Sequence, residues 1–288
     1  MLLKTPTMMA RCHCSNTLCA VLLVLATAVS ATSHAQDCRV GSLPLKNEKL
    51  SAHSIMLGVL EVKDGFMSPL KYRGPMIDFA SEVCRSIGCG ESWYRTSFFK
   101  LGFSPTTNHS DNGSMLALDI NWRMSWERAW LKRDNLSITA GPQIFTKVGG
   151  LYNSRSSNNP AVPKVYLAAS VAGQAVYGFR LWNYPMALEW RAELPLIGYN
   201  FSPTYGLQYY EMVYVDSFSE ASHLAWPGNL NNFCQRLSLD IPMGGVQLRL
   251  SWYGDYFHYD IGGLDCRIYE NSCMIGVVRR FEIKYNGR

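Results

Sequence analysis

The longest regular pattern in the sequence runs from Met115 to Glu127. Every second residue from Leu116 to Trp126 is apolar, and the residues between them turn polar or charged from Asp119 onward. Side chains alternate between the two faces of a β-strand, so the pattern predicts a strand with one apolar and one polar face. Such a run is long for a strand of a soluble two-sheet domain, and tryptophans near one end suit a membrane–water interface. The stretch therefore predicts a transmembrane β-strand.

The same alternation recurs further along the chain. It covers Lys164 to Arg180, Met186 to Leu196 and the hairpin formed by Arg236 to Ile241 and Val246 to Trp252. In soluble β-domains, charges on an inner face need buried partners, whereas a polar lumen accepts them readily. The sequence thus predicts an all-β fold, a single antiparallel transmembrane β-barrel. The alternative is a secreted β-sandwich that acts as a binding module.

The number of strands follows from the turns. Bacterial single-chain barrels have even strand numbers, short periplasmic turns and longer outer loops. The short turns Trp182 to Tyr184 and Pro242 to Gly245 are expected on the periplasmic side. Pairing Gln208 to Val215 with a strand around Glu220 to Trp226 predicts about twelve strands. Ten strands, with residues 197–231 wholly outside the barrel, is the alternative.

The beginning of the chain predicts export. Lys4 and Arg11 precede an apolar core that is too short to span a bilayer as a helix, and Ser33-His34-Ala35 is a cleavage signal. We assign residues 1–35 to a signal peptide, residues 36–53 to an N-terminal periplasmic lead-in and residues 54–288 to the barrel domain. The predicted location is the outer membrane, with outer-membrane lipid as a partner.

The composition excludes several classes of protein. Without Lys4 and Arg11, 25 basic residues face 22 acidic residues, and no basic run is interleaved with aromatic residues. This near balance argues against nucleic-acid binding. The chain is nevertheless 48% hydrophobic, with 16 Tyr and 8 Trp. A secreted chain of this kind either buries its apolar face in a core or exposes it to lipid.

Six cysteines follow the predicted cleavage site. The compartment permits disulfides, but six cysteines allow 15 pairings, and the sequence does not choose among them. Two pairs are close enough in sequence to close a turn or a loop: Cys84 with Cys89, and Cys266 with Cys273. None of the cysteines or histidines has the spacing of a zinc site, so neither a metal nor a cofactor is predicted. The other two of the six cysteines are Cys38 and Cys234.

No catalytic motif is present. The histidines after residue 35 lie in no HExxH, GxSxG or Ser-x-x-Lys context. An outer-membrane lipid-modifying hydrolase is an alternative only through the adjacent pairs His109-Ser110 and Ser222-His223. Adjacent residues on a strand point in opposite directions, which argues against both pairs. The sequence therefore predicts a protein that is not an enzyme.

Charges on the predicted inner faces form the main candidate site. They comprise five acids and four arginines, so a mutually neutralising network would fill the lumen. A barrel of ten to twelve strands lies between the filled eight-stranded barrels and the open porins. We predict a filled or narrow polar lumen, with a small-solute channel as the alternative. The predicted lumen charges are Asp119, Arg123, Glu127, Glu189, Arg191, Glu193, Arg236, Asp240 and Arg249.

Five short motifs resemble those of a family of exported proteins of unknown function from Bacteroides-type bacteria, which are generally taken to be outer-membrane barrels. The resemblance spans roughly Ser54 to Tyr285. It implies a barrel and its location, but no activity and no catalytic residues. The motifs are Ser68-Pro69-Leu70 with Tyr72 and Gly74; Tyr152-Asn153 with Arg155 and Asn158-Asn159-Pro160-Ala161; Asn183-Tyr184-Pro185; Leu194-Pro195-Leu196; and Phe201-Ser202-Pro203 with Tyr205-Gly206 and Tyr209-Tyr210-Glu211.

The loops and the last strand supply the remaining candidates. Tyrosines and asparagines in the outer loops suggest binding of an extracellular glycan or surface partner, although tyrosine at strand ends also forms the interface girdle. Alternating aromatic residues near the C-terminus resemble the signal read by the barrel-assembly machinery, with Phe281 and Tyr285 as its key residues. The loop candidates are Tyr152, Asn153, Arg155, Asn158, Asn159, Tyr199, Phe201, Tyr205, Tyr209 and Tyr210.

Overall fold

The computed structural model describes residues 43–88, 92–153, 155, 160–203, 221–261 and 263–282. The predicted signal peptide lies outside them. No helix of this described part is long and apolar enough to cross a membrane. Its strands are β1 (Glu48–Asp64), β2 (Ser68–Ile87), β3 (Trp93–Asn108), β4 (Ser114–Lys132), β5 (Leu136–Asn153), β6 (Ala161–Leu181), β7 (Tyr184–Phe201), β8 (Ser222–Ala225), β9 (Leu230–Met243), β10 (Val246–Ile261) and β11 (Leu264–Glu282).

Ten of these strands close into one antiparallel ring. Each strand from β1 to β7 pairs with the next, β7 pairs with β9, and β11 pairs with β1. The short β8 pairs with β7 at Gly198–Phe201 and stays outside the ring. The predicted transmembrane barrel is therefore confirmed, with the alternative count of ten strands in its ring. Gln208 to Val215, which the count of twelve required, lies outside the described residues. A closed ring is incompatible with the secreted β-sandwich alternative.

The two ends of the barrel differ in the length of their connections. We call the end where β1 begins and β11 ends the terminal end, and the opposite end the loop end. At the terminal end, β6 and β7 are joined by Trp182 and Asn183, whose φ angles of 47° and 65° match a two-residue hairpin turn. Gly244 adopts a φ of 65° in the turn between β9 and β10. The longest connection, residues 202–229, is at the loop end and includes β8.

The alternation in sequence decides which side chains face out. On β4, Leu118 is 48% exposed and Asn121 is fully buried. Trp190 on β7 is likewise 50% exposed, whereas its neighbours Glu189 and Arg191 are buried. The outer surface is thus apolar and the interior polar, the reverse of a soluble protein. This arrangement is typical of a barrel surrounded by lipid.

The first strand begins earlier than the sequence pattern indicated. β1 starts at Glu48, although the alternation becomes recognisable only from Ser54. The added residues pair with both neighbours, with Glu48 opposite Glu282 and Lys49 opposite Arg85. Pairing on both sides satisfies the backbone whatever the side chains are, so the strand extends beyond its apolar stretch.

Candidate functional site

Arginines and carboxylates fill the part of the lumen nearest the terminal end. Arg236 lies 2.5 Å from Glu82 and 2.5 Å from Glu189. Arg249 reaches the same two carboxylates at 3.1 and 2.9 Å, and it also binds Asp240 at 2.7 Å. Two guanidinium groups therefore share two carboxylates, and either arginine alone contacts both Glu82 and Glu189.

A second pair of arginines continues this arrangement towards the middle of the barrel. Arg123 and Arg191 both lie 2.7 Å from Glu193. Arg191 also lies 2.8 Å from Glu127, which accepts a 2.6 Å hydrogen bond from the hydroxyl of Thr139. We call these four arginines and their acids the arginine network. Its members are Arg123, Arg191, Arg236, Arg249, Glu82, Glu127, Glu189, Glu193 and Asp240.

Arg123 spans the lumen at its middle. Its guanidinium group lies 4.8 Å from the ring centroid of Phe145 and 5.5 Å from that of Phe98. It donates a 2.8 Å hydrogen bond to the hydroxyl of Tyr253, which belongs to β10 and so to the far side of the ring from β4. A buried guanidinium group held between aromatic faces and a phenol fills the cross-section at this level.

A different set of charges fills the half nearer the loop end. Lys100, which is fully buried, lies 3.0 Å from Asp78 and 3.1 Å from Asp119, and it also pairs with Glu270. A Cβ atom at Gly102 would lie 2.5 Å from Asp78 Oδ1, so the absence of a side chain there leaves room for the carboxylate. One ammonium group thus forms ion pairs with three carboxylates.

Two further lysines extend this set. Lys147 lies 3.2 Å from Asp255 and 3.8 Å from Asp119. Lys164 lies 2.6 Å from Asp64 and donates a 2.6 Å hydrogen bond to a tyrosine hydroxyl. We call these groups the lysine network. Its members are Lys100, Lys147, Lys164, Asp64, Asp78, Asp119, Asp255 and Glu270.

The two networks touch at one place and differ in charge balance. Arg123 approaches Asp255 to 3.6 Å. The arginine network has four cations for five carboxylates, whereas the lysine network has three cations for five. The lysine network therefore has fewer positive groups for the same number of carboxylates.

Aromatic and aliphatic side chains cover the lysine network at the loop end. The rings of Phe145 and Tyr166 meet edge to face at 5.5 Å, as do those of Tyr166 and Phe257 at 5.4 Å. Tyr259 packs against Phe257 at 5.7 Å, and the buried cluster also includes Val62. The lumen is therefore largely apolar at this level, although the ion pair of Lys164 with Asp64 lies beside Tyr259.

Among the described residues, the cavities beside these groups along the lumen are small. One cavity of ≈ 40 Å³ lies beside Glu82 and Arg249, and another of ≈ 40 Å³ lies beside Lys100 and Lys147. Between them, a cavity of ≈ 10 Å³ next to Arg123 has room for about one water molecule. The middle of the lumen is therefore filled by side chains.

All nine charges predicted to face inward lie in the lumen, and every one belongs to one of the two networks. Sequence reasoning left Asp78, Glu82 and Lys164 out of the predicted site, although they stand at alternating polar positions of their strands. It missed five further members, although some carry the same signal; Lys100, for example, lies between Phe99 and Leu101. The five missed residues are Asp64, Lys100, Lys147, Asp255 and Glu270.

The predicted loop candidates separate into exposed and buried residues. Tyr152 and Tyr199 are 49% and 37% exposed near the loop end, and Arg155 is exposed. Asn153 is buried, and its side-chain oxygen accepts a 3.1 Å hydrogen bond from the backbone of Arg155. Phe201 is buried against Ala221 and Val165. The remaining candidates, Asn158, Asn159, Tyr205, Tyr209 and Tyr210, lie outside the described residues.

Phe281, one of the two residues of the predicted assembly signal, is 46% exposed in the outward row of β11, close to the terminal end. Tyr285 lies outside the described residues. Phe281 therefore lies on the outer surface of the barrel.

The histidine–serine pairs considered as hydrolase candidates lie at the loop end. The hydroxyl groups of Ser222 and Tyr199 are 2.8 Å apart, and the alternation of β8 directs the next side chain, His223, to its other face. His109 and Ser110 occupy an exposed turn between β3 and β4. Among the described residues, no group of three His, Cys, Asp or Glu side chains has the arrangement of a metal site.

The cysteines of the described region are free thiols. Cys266 is buried in the lumen and Cys273 is exposed on the outside of the same strand. The short loop-closing disulfide that their spacing allowed is absent, because seven residues of extended strand separate them by about 24 Å and they face opposite sides. Cys84 and Cys234 are free and buried. Cys38 and Cys89 lie outside the described residues.

Several solved structures are similar in shape at low sequence identity. The outer membrane protease OmpT from Escherichia coli is 7% identical over 82% of this chain and 98% of its own, with a TM-score of 0.48. The translocator domain of the autotransporter NalP from Neisseria meningitidis is 9% identical over 92% and 96%, with a TM-score of 0.40. An outer membrane channel from Pseudomonas putida F1 is 9% identical over 86% and 100%, with a TM-score of 0.38.

Comparison at the level of sequence gives one match. No curated protein is significantly similar to this chain. A family model described as "Protein of unknown function (DUF3316)" matches residues 17–287, which is most of the chain.

Proposed function

The chain belongs to the DUF3316 family, and we propose that it is an outer-membrane barrel with a closed lumen, which serves as a structural or surface-binding protein. In this proposal the chain is exported by residues 1–35, is inserted by the barrel-assembly machinery, and is neither an enzyme nor a channel. No cofactor takes part. The family has no assigned activity, so the support comes from the barrel itself.

The outer surface supports the membrane location. On β11, the outward row between Arg267 and Arg279 carries no charge. These two residues are twelve apart, which corresponds to roughly 40 Å along a strand and roughly 30 Å across the membrane at the usual strand tilt. That distance matches an apolar band about 25 Å tall with polar borders. The short connections at the terminal end favour a periplasmic position for that end.

The filled middle of the lumen is the observation that carries the proposed closed state. Arg123 extends from β4 to Tyr253 on β10, while its ion pair with Glu193 links it to β7. Buried ion pairs with several hydrogen bonds hold their geometry, because separating them leaves uncompensated charge in a confined space. A solute crossing the barrel would have to break these pairs and also displace the apolar cluster at the loop end.

The exposed tyrosines at the loop end support the surface-binding part of the proposal. Tyr152 and Tyr199 present their rings outside the barrel, where aromatic faces can stack on a sugar or a partner protein. Arg155 lies close to Tyr152 in sequence and is also exposed. A glycan or another surface component is therefore the proposed class of ligand at this end.

Electrical recording tests the closed lumen. Protein extracted from carbonate-washed outer membranes and inserted into planar bilayers should show no steady conductance, because ion pairs block the middle of the barrel. The outward variant Arg279→Gln, which leaves the lumen unchanged, serves as the control and should behave like the wild type. A stable wild-type channel whose ion selectivity changes in Glu189→Gln or Arg191→Gln would make transport the correct function. Recovery of the protein in the soluble fraction would refute the membrane location.

A further inference from the structure

A row of outward-facing cations crosses three neighbouring strands near the terminal end. Lys49 on β1 lies opposite Arg85 on β2, which in turn lies opposite Arg95 on β3. Neighbouring strands are about 4.8 Å apart, so the row is roughly 10 Å wide. Arg128 on β4 lies close by, opposite Trp93. We call these four basic residues the terminal-end cluster.

The positive charge of this cluster has no counterpart within the described part of the chain. No carboxylate there pairs with Lys49, Arg85, Arg95 or Arg128, and Arg85 Nε is buried without a hydrogen-bond partner. Like charges directly opposite one another on a sheet are destabilising. An arrangement of this kind favours the binding of an anion.

The outward cations at the loop end are arranged differently. Lys63, Lys71 and Arg267 also form a row across neighbouring strands, but acids are built into it. Lys71 binds Glu61 at 3.1 Å, and Lys63 and Arg267 bind Asp265 at 2.7 and 2.9 Å. Acids therefore neutralise Lys63, Lys71 and Arg267 at the loop end, whereas no described carboxylate pairs with the terminal-end cluster.

The terminal-end cluster lies at the border of the apolar surface. On β3, the continuous row of exposed apolar side chains begins at Phe99, four residues beyond Arg95, and Trp93 is exposed on the other side of Arg95. Arg95 lies opposite Trp126, and the guanidinium group of Arg128 lies 5.5 Å from the ring of Trp130. Tryptophan is enriched at the level of lipid headgroups, so the cluster has the depth of the headgroup phosphates.

We propose that the terminal-end cluster binds the phosphate group of an anionic phospholipid in the periplasmic leaflet. Guanidinium groups form paired hydrogen bonds with phosphate oxygens, and two opposed arginines present such donors to one anion. The phosphate removes the repulsion between Arg85 and Arg95, while the acyl chains lie along the apolar surface beside Phe99. This inference rests on the membrane location proposed above.

Native mass spectrometry tests the site with phosphatidylglycerol and phosphatidylcholine as probes. The wild type in detergent with equal amounts of both lipids should retain phosphatidylglycerol preferentially. The preference should fall about fivefold for each arginine removed in Arg85→Gln and Arg95→Gln, as expected for basic side chains at a membrane surface. High salt should weaken the preference, since it screens exposed charges.

The control variant removes two cations from the acid-containing row at the loop end. Lys63→Gln with Arg267→Gln should keep the preference of the wild type. Equal retention of both lipids by the wild type, or an unchanged preference in the Arg85→Gln/Arg95→Gln variant, would overturn the proposal. Complete loss of the preference in excess inorganic phosphate would also overturn it, since a free anion would then be the ligand. Heat-modifiability of each sample reports barrel folding, so failure of the barrel itself is detected separately.

Discussion

The two halves of the lumen neutralise their buried carboxylates in different ways. In the arginine network, Glu82 and Glu189 each contact both Arg236 and Arg249. In the lysine network, Asp78 and Glu270 share the single ammonium group of Lys100. The first arrangement is redundant, whereas the second depends on one cation.

The difference follows from the shape of the two cations. A guanidinium group is a planar fork with five donors, so it contacts several carboxylates with separate nitrogens. An ammonium group is a compact point charge, so carboxylates that share it must converge on one atom. The lysine network therefore concentrates negative charge around Lys100, and we expect its loss to affect stability more than the loss of one shared arginine.

The largest expected effect is that of Lys100→Met. The substitution keeps the side-chain volume but leaves Asp78 and Glu270 without their cation, which should cost about 3–5 kcal/mol in the free energy of unfolding. Urea unfolding in lipid vesicles measures the change. The control, Lys71→Met, breaks an exposed ion pair with Glu61 and should cost less than about 1 kcal/mol. Equal effects of the two variants would contradict the dependence on Lys100.

A charge on the outer surface of β4 should have the next largest effect. Leu118→Arg places a cation next to Asp119 in sequence, but on the lipid side, where neither network can neutralise it. We expect a cost of about 2–4 kcal/mol if the site lies near the midplane of the bilayer. The same unfolding measurement applies, with Leu118→Phe as an apolar control that should be nearly neutral. If Leu118→Arg leaves the free energy of unfolding unchanged, this face is not in lipid.

Of the three single substitutions under test, Arg236→Met is expected to have the smallest effect. Both carboxylates that Arg236 binds retain Arg249, so only hydrogen bonds to charged groups are lost, at about 1.5–3 kcal/mol. The comparison with Lys100→Met in the same assay is the measurement. A double variant, Arg236→Met with Arg249→Met, should be destabilised by more than the sum of the two single changes. If the destabilisation of the double variant equals the sum of the two single effects, the two arginines do not substitute for each other.

Sequence reasoning recovered the arginine network more completely than the lysine network. Glu189, Arg191 and Glu193 stand at alternate positions of one strand, so their common face is visible in the sequence. Lys100 and Glu270 are members of strands 170 residues apart, and neither stands beside other charges on its own strand face. Alternation shows which way a side chain points, but not which residue lies across the lumen.

The loop residues show the same limit of sequence-based prediction. Asn153 and Tyr152 are adjacent and were both expected at an outer binding surface, yet Asn153 is buried and Tyr152 is exposed. Asn153 closes its own loop, with its backbone N–H donating to Pro160 at 2.7 Å. Loop closure depends on how the two flanking strands are paired, which no local pattern reveals.

The sequence by itself determined the facing of the long strands and their apolar outer surface, because both depend on a period of two residues along one strand. The tertiary structure alone decided that ten strands form the ring, that β8 stays outside it, and which charges meet. Those properties depend on register and on distances across the barrel. They arise only when strands far apart in sequence are brought together, since the ion pairs that fill the lumen join residues that have no local relation to one another.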